Sequence, residues 1–228
     1  MFVGRTAATR DSRALAMQIN MTTFAGRNPH YIHQTLQSLF RSDWADSNVP
    51  INLIMGSEDE SHVQEYASHP AIRIVRWNVK RESSLRLNCT VNKIRALCWG
   101  DDDATLTCED DIAFSATWMS SLKLAAAELA GEQYVLSLFA ARPLLAKANL
   151  VEGKTRIRHY PTRALQGAQA IFYPSKELRL AAAEYLEINL RKGCGDHLIG
   201  KYARSFAALY VTDDILVDHI GAVSCFPP

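Results

Sequence analysis

No segment of this chain stays apolar for the roughly twenty residues that a membrane-spanning helix needs, because charge interrupts every hydrophobic run. The sequence therefore predicts no membrane span. The first fourteen residues carry Arg5, Arg10, Asp11 and Arg13 with no long apolar stretch behind them, so no signal-peptide pattern is expected. Net charge is missing too. The 25 basic and 24 acidic side chains of the 228 residues leave +1, so no broad field draws the chain to nucleic acid. The five cysteines, Cys89, Cys98, Cys108, Cys194 and Cys225, are scattered, odd in number and never spaced Cys-x-x-Cys. That argues against a disulfide framework or a structural zinc site and favours a reducing, cytoplasmic setting. Phosphate-cradling glycine loops are absent as well, with neither G-x-x-x-x-G-K-[ST] nor G-x-G-x-x-G anywhere in the chain. Any function must be sought in local sites.

What is present is a hydrophobic share of 48%, ample for a core, arranged as alternating strands and helices. After a polar, basic lead-in over residues 1–13, Ala16–Thr23 reads as a strand, and Asn28-Pro29 opens a helix to Phe40. Val49–Met55 is a buried strand, followed by a loop at Gly56–Asp59 and a helix over about Glu60–Ala67. Ile72–Arg76 is a third strand. A helix over Leu87–Trp99 closes at Gly100, and Ala104–Cys108 is a fourth strand. Further on, the pattern predicts a helix from Ser115, as N-cap, to Leu129, then a strand at Tyr134–Leu138. Strand-like pieces follow near Leu144–Lys147 and Lys154–His159, then a strand at Gln169–Tyr173. Helices are predicted at Lys176–Leu190 and Gly195–Ala203. Such β-loop-α alternation predicts an α/β three-layer sandwich around a mostly parallel sheet. No linker or repeat divides it. The expected organisation is one domain over residues 14–228, with a nucleotide-binding half to residue 111 and an acceptor-binding half beyond.

In open sheets of this kind ligands bind beyond the carboxyl ends of the strands. There, after the fourth strand, stands Glu109-Asp110-Asp111. Three adjoining carboxylates repel one another unless they meet a cation or face water. A hard divalent ion such as Mg²⁺ or Mn²⁺ is the simplest cation, and such ions commonly sit between protein carboxylates and the phosphates of a nucleotide. The competing account is a solvated acidic turn. The upstream run Asp101-Asp102-Asp103 fits that account, because it precedes the strand and lies at the wrong end of the sheet. Two more segments invite chemistry. Asp196, between glycines at a helix start, is either a helix N-cap or a carboxylate projecting into a cleft. His219, near the C-terminus, is either structural or a metal ligand.

Taken in order, the Thr22–Arg27 loop, the Glu109-Asp110-Asp111 triplet, Gly195-Asp196-His197 and His219-Ile220-Gly221 resemble the GT-A class of nucleotide-sugar-dependent glycosyltransferases. The closest branch is the N-acetylglucosaminyltransferase IV type and its short microbial or viral relatives, with a Glu-Asp-Asp triplet and a C-terminal His-x-Gly-x-x-Ser. The resemblance spans about Ile19–Ser224. It implies that Asp111 and His219 bind Mn²⁺ or Mg²⁺ and that Glu109 lies near the donor ribose. Asp110 would face either a metal-bound water or the donor sugar. It further implies that Thr22, Thr23, Arg27 and Glu58 hold the nucleoside, and that Asn92, Lys93 and Arg95 meet base or phosphate. Asp196 would be the base of an inverting transfer from a UDP-sugar to a glycan or glycoconjugate hydroxyl, with a retaining reaction as the alternative.

The resemblance implies a stem and a further C-terminal region in the eukaryotic members, and neither is expected within these 228 residues. Acceptor contacts are expected in Phe139–Gln169, from Arg142, Arg156, Arg158, His159, Tyr160 and Arg163, with Trp118 stacking on a sugar face. The alternative reading makes those arginines solvated surface. Two rival functions remain. A nucleotidyltransferase making a nucleotide-sugar would want a more basic, glycine-rich first loop, and a non-catalytic sugar-binding domain would not depend on Asp196.

Overall fold

A computed structural model describes residues 16–23, 30–56, 59–76, 84–162 and 165–221. Arg27, Glu58, Arg163 and the lead-in over residues 1–13 lie outside them, as does the proline at the start of the first predicted helix. The strands in chain order are β1 (Met17–Thr23), β2 (Ile51–Met55), β3 (Ile72–Val75), β4 (Ala104–Glu109), β5 (Ile112–Phe114), β6 (Tyr134–Ser137), β7 (Ile157–His159), β8 (Ala170–Tyr173), β9 (Ala208–Thr212) and β10 (Val217–His219). The helices are α1 (Ile32–Phe40), α2 (Leu85–Cys98), α3 (Trp118–Glu128), the single turn α4 (Arg142–Leu145), α5 (Lys176–Ile188) and α6 (Gly195–Phe206).

Eight strands form one sheet in the order β3-β2-β1-β4-β8-β6-β9-β7, while β5 and β10 make a separate antiparallel ribbon. The ladders joining β3, β2, β1 and β4 are parallel, as is β6 with β9. β8 and β7 run the other way. The mostly parallel α/β sheet read from the sequence is the observed one.

The alternation along β1 shows how the layers form. Met17, Ile19 and Met21 join one core with Ile32, Leu36 and Leu39 of α1 and Trp118, Met119 and Leu122 of α3. On the opposite face Leu97 of α2 packs with Leu178, Ala182 and Leu186 of α5 and Leu198, Ile199 and Tyr202 of α6. The intervening Gln18, Asn20 and Thr22 are polar yet buried: the carboxyl end of α2 stops against the first two, and the Thr22 hydroxyl donates to the Cys108 carbonyl at 3.3 Å. Asn20 Nδ2 donates to the Ala96 and Trp99 carbonyls at 2.6 and 3.0 Å, and Asn52 Nδ2 donates to Asn20 Oδ1 at 2.8 Å. The fully buried Arg179 of α5 donates to the carbonyls of Leu97 and Gly100. The orphan carbonyls at the end of α2 are thus satisfied by side chains from two other elements.

Several expected elements differ. The helix predicted over Glu60–Ala67 is a single 3₁₀ turn, Gln64–Tyr66, since the segment has no continuous apolar stripe. Leu144 and Leu145 are helical rather than extended, because Pro143 presets the first turn of α4. Ser115 is not an N-cap. α3 begins at Trp118 after Thr117, and the Ser115 carbonyl accepts from Trp118 N–H. Gln64–Tyr66 apart, these shifts lie after β5 in the chain.

Candidate functional site

β1 and β4 pair in parallel with Thr22 beside Glu109, and Thr23 lies beside Met55 of β2. Their carboxyl ends mark the point where the chain leaves in opposite directions along the sheet, the usual place for a ligand crevice. Of the acidic triplet Glu109 is half-buried, whereas Asp110 and Asp111 are only 2% and 3% exposed. Two carboxylates withdrawn from water exclude the solvated-turn account, because a buried charge needs partners.

Asp110 finds them inward. Its Oδ2 accepts from the Thr23 hydroxyl at 2.7 Å, and the same hydroxyl lies 2.9 Å from His62 Nε2. Since Thr23 has one proton and gives it to Asp110, His62 is the donor to Thr23. Burial, then the neighbouring His30, lowers the pKa of His62, consistent with that neutral ring. The His30 and His62 rings stack at 5.2 Å. The triplet's turn is held from the other side by Thr35 of α1. Its hydroxyl lies 2.7 and 2.6 Å from the carbonyls of Asp110 and Ile112 and accepts from Ile112 N–H at 3.1 Å.

The β5–β10 ribbon brings the C-terminal segment to the triplet. Its register sets His219 opposite Ile112, and Ile220 N–H donates to the Asp111 carbonyl at 2.9 Å. His219 Nε2 then stands 3.1 Å from Asp111 Oδ2. Two ligands cis on an octahedral ion at about 2.1 Å are about 3 Å apart, so an oxygen and a nitrogen at this spacing fit a hard divalent cation of the Mg²⁺ or Mn²⁺ kind. Gly221 closes the back of the pair. A Cβ there would lie 2.5 Å from Asp111 Oδ2 and 2.8 Å from His219 Nε2.

A second carboxylate cluster lies beside the first. Asp196 is the second residue of α6, after Cys194 at the cap position, so it is not the N-cap. Its Oδ1 pairs with Lys93 Nζ of α2 at 3.0 Å, and its Oδ2 accepts from Ala168 N–H at 3.1 Å. Lys93 Nζ also meets Glu109 Oε1 at 2.7 Å. Burial raises the pKa of Asp196, but Lys93 and the amides of Ala168 and Gly167 outweigh it and the net shift is downward. Gly167 adopts φ +82, a left-handed turn that suits glycine.

The other expected residues scatter. Asn92 is buried and its Oδ1 accepts from Arg95 Nη1 at 3.1 Å, so these two engage each other within α2. Trp118 is not a sugar platform: it is 0% exposed and donates through Nε1 to Ser42 Oγ at 2.9 Å inside the core. Arg158 is committed to Asp213 and the Ala148 carbonyl, so neither an acceptor contact nor a solvated role describes it. Tyr160 is buried with its hydroxyl tied to Gln166. Phe139, by contrast, presents its ring edge-on to His219 at a centroid distance of 6.4 Å. Sequence reading missed Thr35 and His62. A threonine on the apolar stripe of α1, beside Leu36, was the one available signal for Thr35, whereas nothing local marks His62.

No protein-family model matches the sequence, and no curated protein matches it either. The arrangement of sheet, helices and crevice is that of the GT-A glycosyltransferase structures. Residues 1–349 of S. aureus TarS in complex with UDP-GlcNAc superpose with a TM-score of 0.53 at 16% identity, covering 92% of this chain and 61% of that one. GalNAc-T7 with UDP, GalNAc and Mn²⁺ gives a TM-score of 0.66 at 12% identity, covering 94% and 45%. The chain thus spans about half the length of these neighbours. At such identities the likeness establishes the fold. Among the described residues no helix is long and apolar enough to cross a membrane.

Proposed function

We propose that this chain is a metal-dependent glycosyltransferase that moves a sugar from a nucleotide diphosphate, UDP in preference, to an acceptor hydroxyl with inversion. The observation that carries the proposal is the meeting of Asp111 with His219 at 3.1 Å beside the Glu109–Lys93–Asp196 cluster, three separate segments converging at one strand end. The order of these motifs supports the N-acetylglucosaminyltransferase IV-type branch. In this reading residues 14–228 are one catalytic unit. The solved neighbours with UDP-GlcNAc and with UDP and Mn²⁺ favour a UDP-sugar donor and that metal.

Asp111 and His219 would hold Mn²⁺ or Mg²⁺. The bound ion would neutralise charge developing on the departing diphosphate. Glu109 sits at the end of β4 where the donor ribose is expected, and Thr22 and Thr23, with Arg27 and Glu58, would form the nucleoside side. Asp110 reaches neither sugar nor water in this scheme. It anchors Thr23, fixing the start of the first loop against the triplet.

Asp196 is the base. Its side chain is 30% exposed, enough to meet an acceptor, while one oxygen stays on Lys93 and the other on a backbone amide. It takes the proton from the acceptor hydroxyl as that oxygen bonds to the anomeric carbon, and the sugar–phosphate bond breaks with its electron pair leaving on the diphosphate. A carboxylate held below its usual pKa is a weak base but is ionised throughout the neutral range. Proton transfer is then late, after bond formation has made the hydroxyl acidic. Phe139 would flank the acceptor beside His219.

The test is Mn²⁺-dependent turnover across UDP-, GDP- and dTDP-sugars, with and without glycan acceptors. Turnover of a UDP-sugar that stops in Asp196→Asn while UDP binding persists supports the reading. Unchanged function in that variant supports a non-catalytic sugar-binding domain, and pyrophosphate release from a nucleoside triphosphate supports the nucleotidyltransferase.

A further inference from the structure

Lys93 has no proton to spare. Its Nζ lies 2.7 Å from Glu109 Oε1, 3.0 Å from Asp196 Oδ1 and 3.4 Å from the Ala168 carbonyl, and an ammonium has three N–H bonds to give. With Ala168 N–H donating to Asp196 Oδ2, the contacts close a ring from α2 through α6 to the loop before β8. The side chain is 13% exposed, so its charge has left water. Burial alone would lower its pKa, but Asp196 and Glu109 outweigh that and raise it, so the ammonium persists at any working pH.

The backbone around the stem is cut to fit. A Cβ on Gly195 would lie 2.8 Å from Lys93 Cδ, 3.3 Å from Cε and 3.6 Å from Thr90 Oγ1. Only glycine lets the first turn of α6 settle over the lysine. A lysine that waits for a diphosphate needs a mobile, hydrated tip with unused donors, and Lys93 is fixed at both stem and tip.

We propose that Lys93 is a positioning residue, a buried ammonium clamp that holds the Asp196 carboxylate beside Glu109, and that it does not bind the phosphates of the donor. The proposal rests on Asp196 being the base. Removing the ammonium would take away the charge that holds Asp196 ionised and leave its carboxylate facing Glu109 in a poorly hydrated place, so Asp196 would take up a proton more readily. The charged or titratable groups around Asp196 are Lys93 from α2, Glu109 of β4 across the ammonium, Tyr160 after β7 and His197 on its own helix.

The experiment compares Lys93→Met, Lys93→Arg, Gly195→Ala and Asp196→Asn, measuring kcat and donor KM against pH and the Kd of UDP with Mn²⁺ by calorimetry. Lys93→Met should lower kcat at neutral pH at least about tenfold and move the acid limb of the kcat profile up by about one pH unit or more. The UDP Kd should change less than about threefold. Lys93→Arg should recover part of the loss. Gly195→Ala, whose methyl group would push the Lys93 stem aside, should shift the limb in the same direction. If Lys93→Met fails to fold, Gly195→Ala decides alone. A UDP affinity that falls more than about tenfold with the limb unmoved overturns the clamp and makes Lys93 a phosphate ligand. Should Asp196→Asn retain transfer, the base assignment falls instead. A ¹³C titration of the Asp196 carboxylate in wild type and Lys93→Met then decides the clamp: an upward shift upholds it, and no shift overturns it.

Discussion

Asp111 and His219 are 108 residues apart in the chain and 3.1 Å apart in the fold, and what joins them is the two-stranded β5–β10 ribbon outside the main sheet. Because one residue precedes β5 and the other ends β10, the pair tests the metal assignment cleanly. Asp111→Asn and His219→Ala should each weaken Mn²⁺-dependent UDP binding at least about tenfold while leaving the melting temperature within a few degrees. Titration calorimetry with and without Mn²⁺ measures this. UDP binding equally well under both conditions in wild type would remove the metal from the site.

Gly221 gives a second handle on the same pair. Gly221→Ala places a methyl group 2.5 Å from Asp111 Oδ2 and 2.8 Å from His219 Nε2, so one of them must move. Mn²⁺ affinity should fall by an order of magnitude, about 1.4 kcal/mol, with both ligands still present. Manganese titration followed by electron paramagnetic resonance reads the free ion directly.

The His62–Thr23–Asp110 chain makes a prediction about stability and pH. His62 has its pKa lowered in the fold, so between its unfolded value near 6.5 and that lower value the unfolded chain binds the extra proton. Stability therefore falls as pH drops through this window, by at most about 1.4 kcal/mol per pH unit from this group. His62→Gln should flatten the slope below pH 6.5 in denaturant titrations. Thr23→Val, which takes one donor from a buried carboxylate, should cost about 1–3 kcal/mol at pH 7.

Trp118 belongs to the core, and its substitution should say so. Trp118→Phe loses the Nε1 bond to Ser42 and leaves a cavity, an expected cost of about 1–3 kcal/mol. Glycan binding by the folded variant, followed by saturation-transfer NMR, should match wild type.

How much of this was legible beforehand depends on whether the signal was local. The β1, β2 and β4 strands are readable because each is short, apolar and followed by turn chemistry, and the β-loop-α alternation by itself places Glu109–Asp111 at a strand end. Asp196 and His219 were readable as chemistry but not as neighbours. Trp118 misled because an indole ring reads as a platform for a sugar face, and the partner that ties it into the core, Ser42, is far away in sequence. Lys93 on a helix reads from the sequence as a base or phosphate contact, and only the fold shows the two carboxylates brought onto it. His62 was invisible, since its meaning lies in a hydroxyl on a different strand.

The ribbon that carries His219 is also the last strand of the described chain to be synthesised. Only residues 213–216 separate it from β9, so a chain cut after Thr212 keeps every strand of the eight-stranded sheet and loses His219. Such a shortened chain would retain the strands and helices that spectroscopy reads as folded while lacking one half of the proposed cation pair.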